Sequence, residues 1–273
     1  MGLGKIFLNT FAKRQFQTFW EYMYYLSLKG MNVGGGDLFE ESGEREAVIY
    51  LRNKKIISKS PVIFDVGANV GGYALAIKRI LPSAIVHCFE PGRETFASLK
   101  RNVKNGISGR SGEVFLNNVG LSDIVQKGTL FYDEEGSGLA SLYDRQLDYV
   151  GINFGKSEEV ELDTIDSYCS RREIDFIDFL KMDIEGNELR AIDGASKMIS
   201  GGNIQATQIE FGGGNIDSRT YFRDFYNRLH SDYFIYRIVK NGLWEILKYD
   251  ERMEIFSCTN YIFVKKNQTT YKL

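Results

Sequence analysis

Residues 62–80 read VIFDVGANVGGYALAIKRI. The first five residues have the apolar, β-branched composition of a buried strand, a glycine-rich turn follows, and Tyr73 to Ile80 carry apolar residues at helical spacing. A strand that runs through such a turn into a helix is the opening unit of an open α/β sheet. In these sheets ligands sit beyond the carboxyl ends of the strands.

Downstream the same rhythm continues. AIVHCFE and EVFLNNVGL read as strands around the helical RETFASLKRNVKN. FIDFLKMDI and IQATQIEF read as later strands around the helical NELRAIDGASKMI, and SRTYFRDFYNRLH reads as a helix. YFIYRIV, LWEIL and NYIFVKK follow without intervening helices, which predicts a Rossmann-like, mainly parallel, doubly wound sheet with an antiparallel C-terminal edge. Pro61 marks a boundary. Residues 1–60 are expected to form an N-terminal helical cap and residues 61–273 the ligand-binding domain. The segment 134–159 breaks the alternation and is expected to be a hairpin with a mobile loop near the ligand crevice.

At 273 residues, 43% hydrophobic and 26% charged, the chain can bury one substantial core. A formal net charge of −2 provides no general attraction to nucleic acid or anionic membranes. Cys88, Cys169 and Cys258 lie far apart with no CxxC pair, which points to a reducing compartment. The first thirty residues are aromatic but broken by Lys5, Lys13, Arg14, Glu21 and Lys29, so no transmembrane segment or leader is expected there and the chain is placed in the cytoplasm. Phe, Trp and Tyr at helical spacing in that stretch point to packing, either in the core or in a homodimer.

A dinucleotide turn needs GxGxxG, and here Gly67, Asn69 and Gly72 hold the three glycine places. The middle glycine, which lets backbone approach a pyrophosphate, is missing, and Asp65 would repel one. A ligand with a cationic group and no phosphate suits the turn better, and S-adenosylmethionine is such a ligand. Asp65 can take its ammonium, directly or through water. Backbone N–H groups of Gly67, Ala68 and Gly71, in a turn that includes Asn69, can face its carboxylate. Glu90, at the end of the second strand, can accept the ribose hydroxyls.

These segments, VIFDVGANVGGYA, FEPGRETFASLKRN, NNVGLSD, LDTID and DFLKMDIEGNELRAIDGA, together resemble the successive motifs of the FkbM family of S-adenosylmethionine-dependent methyltransferases. The similarity runs in order from about Gly43 to Val264, with SGERE at the place of the family's lead-in helix. The resemblance implies a class I methyltransferase fold and O-methylation of a hydroxyl on a sugar, glycan or secondary metabolite, with adenine placed after the third strand, where Asn118 and Ser122, or backbone groups of Val119, could read its edge.

Methyl transfer from a sulfonium is a displacement in which protein groups position the acceptor oxygen and help remove its proton. Asp183 and Glu185 close the fourth strand, Lys181 shares the strand face of Asp183, and Glu210 ends the fifth strand. Asp183 or Glu185 is the expected base or hydroxyl-orienting group. A divalent cation held by these carboxylates is the alternative, although nothing in the spacing requires a metal. His87 and His230 are expected to be structural. The competing readings are an NAD-dependent oxidoreductase on a similar sheet, a non-catalytic cofactor-binding scaffold, and an RNA 2′-hydroxyl methyltransferase, the last disfavoured by charge.

Overall fold

The computed structural model describes residues 5, 7, 10–35, 39–106 and 113–266. The helices α1 (Gln17–Gly30) and α2 (Glu44–Asn53) lie before β1 (Val62–Val66). The chain then alternates through α3 (Gly72–Ile80), β2 (Ile85–Phe89), α4 (Arg93–Gly106) and β3 (Val114–Asn117). Three short strands follow, β4 (Gly120–Leu121), β5 (Gln126–Tyr132) and β6 (Lys156–Asp163). Alternation resumes with α5 (Ile165–Arg172), β7 (Ile177–Met182), α6 (Glu188–Asp193), α7 (Ser196–Ser200), β8 (Ile204–Phe211), α8 (Gly214–Ser218) and α9 (Phe222–Leu229), and ends in β9 (Tyr233–Val239), β10 (Gly242–Ile246) and β11 (Thr259–Lys265).

The main sheet has eight strands in the order β10-β9-β11-β8-β7-β1-β2-β3. The pairs β3/β2, β2/β1, β1/β7 and β7/β8 are parallel, while β11 is antiparallel to both β8 and β9. The antiparallel strands gather at one end, as expected, but the last strand is not the edge. It inserts between β8 and β9, and β10 takes the edge.

The strand period of two sends alternate side chains to opposite faces, and each face is covered by its own helices. Phe64, Val66, Leu180 and Met182 pack with residues of α5, α6, α7 and α9. Ile63, Val86, Phe179 and Ile262 pack on the other face with Ala74 and Ile77 of α3, Leu99 of α4 and Ala47, Val48 and Leu51 of α2. The packing of α2 therefore runs across residue 60 into the core of the sheet. The aromatic helix α1 behaves differently, because none of its residues is buried. Packing of that helix into the chain's own core is thus not observed.

A separate three-stranded sheet, β4-β6-β5, carries the 133–155 loop. Leu130, Val160 and Leu162 form its small core against Ala140 and Leu142. β5 and β6 form an antiparallel pair, but β5 ends before residue 134, so the 134–159 segment is not itself the expected hairpin; it is mostly the loop that joins the two strands.

Candidate active site

At Gly67 φ is +80°, and a Cβ there would stand 1.9 Å from the carbonyl oxygen of Asp183. Only glycine allows the turn after β1 to lie directly against the end of β7. Beside this contact a cavity of about 560 Å³ opens at the carboxyl ends of the parallel strands, the place where open α/β sheets hold ligands.

Its lining includes Gly67, Asn69, Phe89 and Glu90 beyond β1 and β2, Asp183, Glu185 and Glu210 from the ends of β7 and β8, and Glu44 from α2. The 137–142 stretch and Arg145 cover it from the β5–β6 loop. That loop was expected to be near the crevice, and it supplies part of the wall. It is pinned by Ser141, whose Oγ donates to the Glu185 carbonyl at 2.7 Å.

Glu90 accepts the Asn69 N–H at 3.0 Å and the Gly92 N–H at 2.8 Å. Burial pushes its carboxyl up to about 7 despite these two bonds. Two side-chain oxygens on the cavity wall, Asn69 Oδ1 and Asn187 Oδ1, are buried with no hydrogen-bond partner among the described residues. Unpaired buried acceptors are costly, and a ligand with hydroxyl or amino donors would satisfy them.

The turn itself differs from its expected role. The Gly67 and Ala68 N–H groups both donate to the Phe89 carbonyl at 3.0 Å, and the Gly71 N–H donates to the Ala68 carbonyl at 2.8 Å. None of the three is left open for a carboxylate. Asp65 is fully buried on the α3 face, where its register partner is Lys181. Its Oδ1 lies 3.7 Å from Lys181 Nζ, and neither residue belongs to the cavity wall. The strand alternation that puts Val66 on one face sends Asp65 to the other, a consequence that motif reading overlooked. Asn118 donates to the Glu90 and Pro91 carbonyls at 2.9 Å, Ser122 is buried with its Oγ on Asp123, and Val119 packs on the core. These three hold the end of β3 in place and stand outside the wall, which is formed there by Gly120, Leu121 and Leu130.

The expected carboxylates do converge. Asp183, Glu185 and Glu210 each have an oxygen within 4.8 Å of the others. That spacing would accept a cation, but two basic side chains already flank it. Lys181 Nζ is 3.2 Å from Asp183 and Arg145 Nη1 is 2.6 Å from Glu185. Burial tends to lower the Lys181 pKa, but the charges of Asp183 and Asp65 outweigh it and push the pKa up, so the ammonium is a fixed charge. Glu185 is pushed up to about 8, by burial and then by Asp183, in spite of Arg145. Glu210 is raised well above the usual range, first by Asp183 and then by burial. Glu188, one turn on, is buried, accepts the Ile184 and Gly186 N–H groups, and is raised to about 7 by burial.

Phe211 to Asn215, FGGGN, form a tight turn at the end of β8. Gly214 opens α8, and Asn215 Oδ1 accepts the Gly212 N–H at 2.8 Å. At Gly186, with φ +104°, a Cβ would stand 2.4 Å from the Gly214 carbonyl oxygen, so these glycines serve close packing of the two turns. His87 is buried, hydrogen-bonded to Tyr168 and lowered to about 4 by burial, and His230 stacks on Tyr226. Both are structural, as expected. Arg145 and Glu44 escaped the sequence reading. The interruption at 134–159 was the available signal for the first, and nothing but tertiary packing places the second.

A family model described as the methyltransferase FkbM domain matches residues 65–236, the stretch that supplies Glu90, Arg145, Asp183, Glu185 and Glu210. The chain belongs to the FkbM methyltransferase family. Among FkbM-type relatives, the 2-O-methyltransferase NoeI of Sinorhizobium fredii (strain NBRC 101917 / NGR234) is 30% identical over 162 residues, covering 55% of this chain and 61% of NoeI. The 31-O-demethyl-FK506 methyltransferase FkbM of Streptomyces tacrolimicus is 30% identical over 169 residues, covering 53% of this chain and 63% of that protein. The matches thus span less than two thirds of either relative's length. A solved structure of methyltransferase FkbM from Methylobacillus flagellatus KT aligns with 75% of this chain and 44% of its own at 19% identity, with a TM-score of 0.46.

Proposed function

We propose that this protein is an S-adenosylmethionine-dependent O-methyltransferase acting on a hydroxyl of a sugar, glycan or secondary metabolite. The observation that carries the reading is one continuous cavity lined by Glu90 and by the Asp183, Glu185 and Glu210 carboxylates. Membership in the FkbM family supports it over the NAD-dependent alternative, as do the O-methyltransferase names of the two relatives.

The cavity fits the cofactor by its donors and acceptors. Glu90 suits the ribose hydroxyls, and the unpaired Asn69 and Asn187 oxygens suit hydroxyl or amino donors. When bound, S-adenosylmethionine supplies a methyl group on a positively charged sulfur. Asp183 accepts the hydrogen bond of the incoming hydroxyl, orients its oxygen and takes up the proton as that oxygen becomes a nucleophile. Glu185, with its carboxyl raised to about 8, is mostly protonated at neutral pH, where it can donate a hydrogen bond to the acceptor oxygen, and takes up a proton only once ionised at higher pH. Lys181 and Arg145 fix the positions of these two carboxylates.

The test is transfer of labelled methyl from S-adenosylmethionine to a panel of hydroxylated acceptors. Formation of S-adenosylhomocysteine only in the presence of an acceptor, with an alkali-stable methyl product, is the expected result. Alkali-labile product would indicate carboxyl methylation instead, and cofactor binding without turnover on any acceptor would favour a scaffold.

Two finer readings accompany this one. Among the described residues no helix is long and apolar enough to cross a membrane, and the three cysteines are free thiols, which supports a reducing, cytoplasmic setting. The exposed Phe19, Tyr22, Met23, Tyr24, Tyr25 and Leu26 of α1 support a homodimer contact through that helix.

A further inference from the structure

The acid first expected to receive the cofactor's ammonium, Asp65, is buried with its Oδ1 3.7 Å from Lys181 Nζ and does not line the cavity. Another carboxylate stands in the cavity. We propose that Glu44, carried by the N-terminal helix α2, takes the ammonium of the cofactor's amino-acid end. The inference rests on the methyltransferase reading above and extends it to a residue outside the stretch matched by the family.

Glu44 is held firmly. Its Oε1 accepts Gln208 Nε2 at 2.6 Å and its Oε2 accepts Ser42 Oγ at 2.8 Å. The same Gln208 amide donates to Asn260 Oδ1 at 2.9 Å, so the carboxylate is fastened to β8 and, through it, to β11. Gly43, just before it, has φ +89°, and a Cβ there would stand 2.4 Å from the Val239 carbonyl oxygen. The start of α2 is therefore pressed onto β9, and the direction in which Glu44 points is set by that contact.

Each carboxylate oxygen has two lone-pair sites, so after these two bonds Glu44 still has acceptor capacity. Among the described residues no ion pair within 4 Å involves it; its neighbour Lys181 feels its charge but lies nearer to Asp65 and Asp183. Glu46, in the same first turn, is half-buried, pairs with its neighbour Arg45 and does not line the cavity. Glu44 instead faces the cavity that holds Asp183 and Glu210. A cationic ligand group is the chemistry that completes it.

The experiment is calorimetric titration of the full chain with S-adenosylhomocysteine and with 5′-methylthioadenosine, which keeps the adenosine and lacks the amino-acid end. Loss of a charge-assisted hydrogen bond should raise the Kd for S-adenosylhomocysteine by roughly tenfold or more in Glu44→Gln. The Kd for 5′-methylthioadenosine should stay within about twofold. Glu44→Asp, which keeps the charge, should show a smaller loss with the same selectivity, and it carries the comparison if Glu44→Gln does not fold. Equal weakening of both ligands would make Glu44 structural and overturn the proposal. Unchanged S-adenosylhomocysteine affinity in a variant that melts like the wild type would also overturn it, and would leave a cationic acceptor as the group's partner. If the wild-type chain binds neither ligand, the methyltransferase reading itself falls, which is a distinct outcome.

Discussion

Arg145 Nη1 donates to Glu185 Oε2 at 2.6 Å, and the same guanidinium reaches Asp217 Oδ2 through Nε at 3.3 Å. One buried arginine thus fastens the β5–β6 loop to the turn after β7 and to α8. It also offsets part of the cost of burying the Glu185 carboxylate. Removing one partner of a buried pair leaves the other uncompensated, so Arg145→Ala should lower unfolding free energy by about 3 kcal/mol. With the positive charge gone, the Glu185 carboxyl moves further up from about 8. If that group takes the proton, the rising limb of the pH–rate profile shifts to higher pH, while Arg145→Lys shifts it less. Urea unfolding and pH–rate profiles measure the two effects separately.

Asp183→Asn keeps the size of the side chain and removes its negative charge. Turnover should fall by roughly 10²–10⁴ with little change in S-adenosylhomocysteine affinity, as expected for a positioned base. Wild-type activity should persist in a chelator, because Lys181 and Arg145 supply the positive charge of the cluster. Activity lost with chelator and restored by magnesium would transfer the role to a cation held by Asp183, Glu185 and Glu210. Near-wild-type turnover in a stable Asp183→Asn protein would remove the base assignment.

Glu90 offers a second pH test, on binding. Its carboxyl is raised to about 7, mainly by burial. The ionised form is the stronger acceptor for ribose hydroxyls, so S-adenosylhomocysteine affinity should be highest above pH 7 and weaken by up to about tenfold per unit below it. Glu90→Gln should bind more weakly at pH 8 and lose this pH dependence. A flat profile in the wild type would show that Glu90 does not meet the ligand.

Stability should respond to pH in the opposite sense to the usual carboxylate case. Glu90 and Glu188 are raised to about 7 and Glu185 to about 8, above the ordinary value of 4.5. The folded state therefore binds more protons than the unfolded chain between those values, and the associated stability is complete below 4.5 and lost as pH rises through 7–8. The Tm of the ligand-free protein should fall from pH 5 to pH 8 and level off above it. Glu188→Gln, which removes one of the three groups, should reduce that slope.

The aromatic helix α1 carries the last test. Tyr22 and Tyr25 are more than half exposed, and α1 buries none of its residues against the described part of the chain. Light scattering should give the mass of a dimer for the wild type and of a monomer for the doubly substituted Tyr22→Asp, Tyr25→Asp protein. A monomeric wild type would end the homodimer reading.

The sequence by itself determined the alternation of strands and helices, because apolar periodicity is local and each element announces its own buried face. It also marked Glu90, Asp183, Glu185 and Glu210 as cavity acids, since each lies at or just beyond the carboxyl end of a parallel strand and the topology of such sheets brings those ends together. Asp65 shows where local reading stops. Its place beside the glycine turn suggested ligand contact, but whether a strand-end side chain faces the cavity or the helix layer depends on register and on what covers each face. Here α2 and α3 cover the Asp65 side, and Lys181 on the neighbouring strand meets it there. The N–H groups of Gly67, Ala68 and Gly71 had the right positions, but tertiary contact with β2 and the closure of the turn consumed them. Arg145 and Glu44 are the clearest products of tertiary structure, each reaching the cavity from a segment outside the alternating strand-and-helix pattern. Their roles arise from packing between elements far apart in the chain, and no periodicity within either segment encodes that contact.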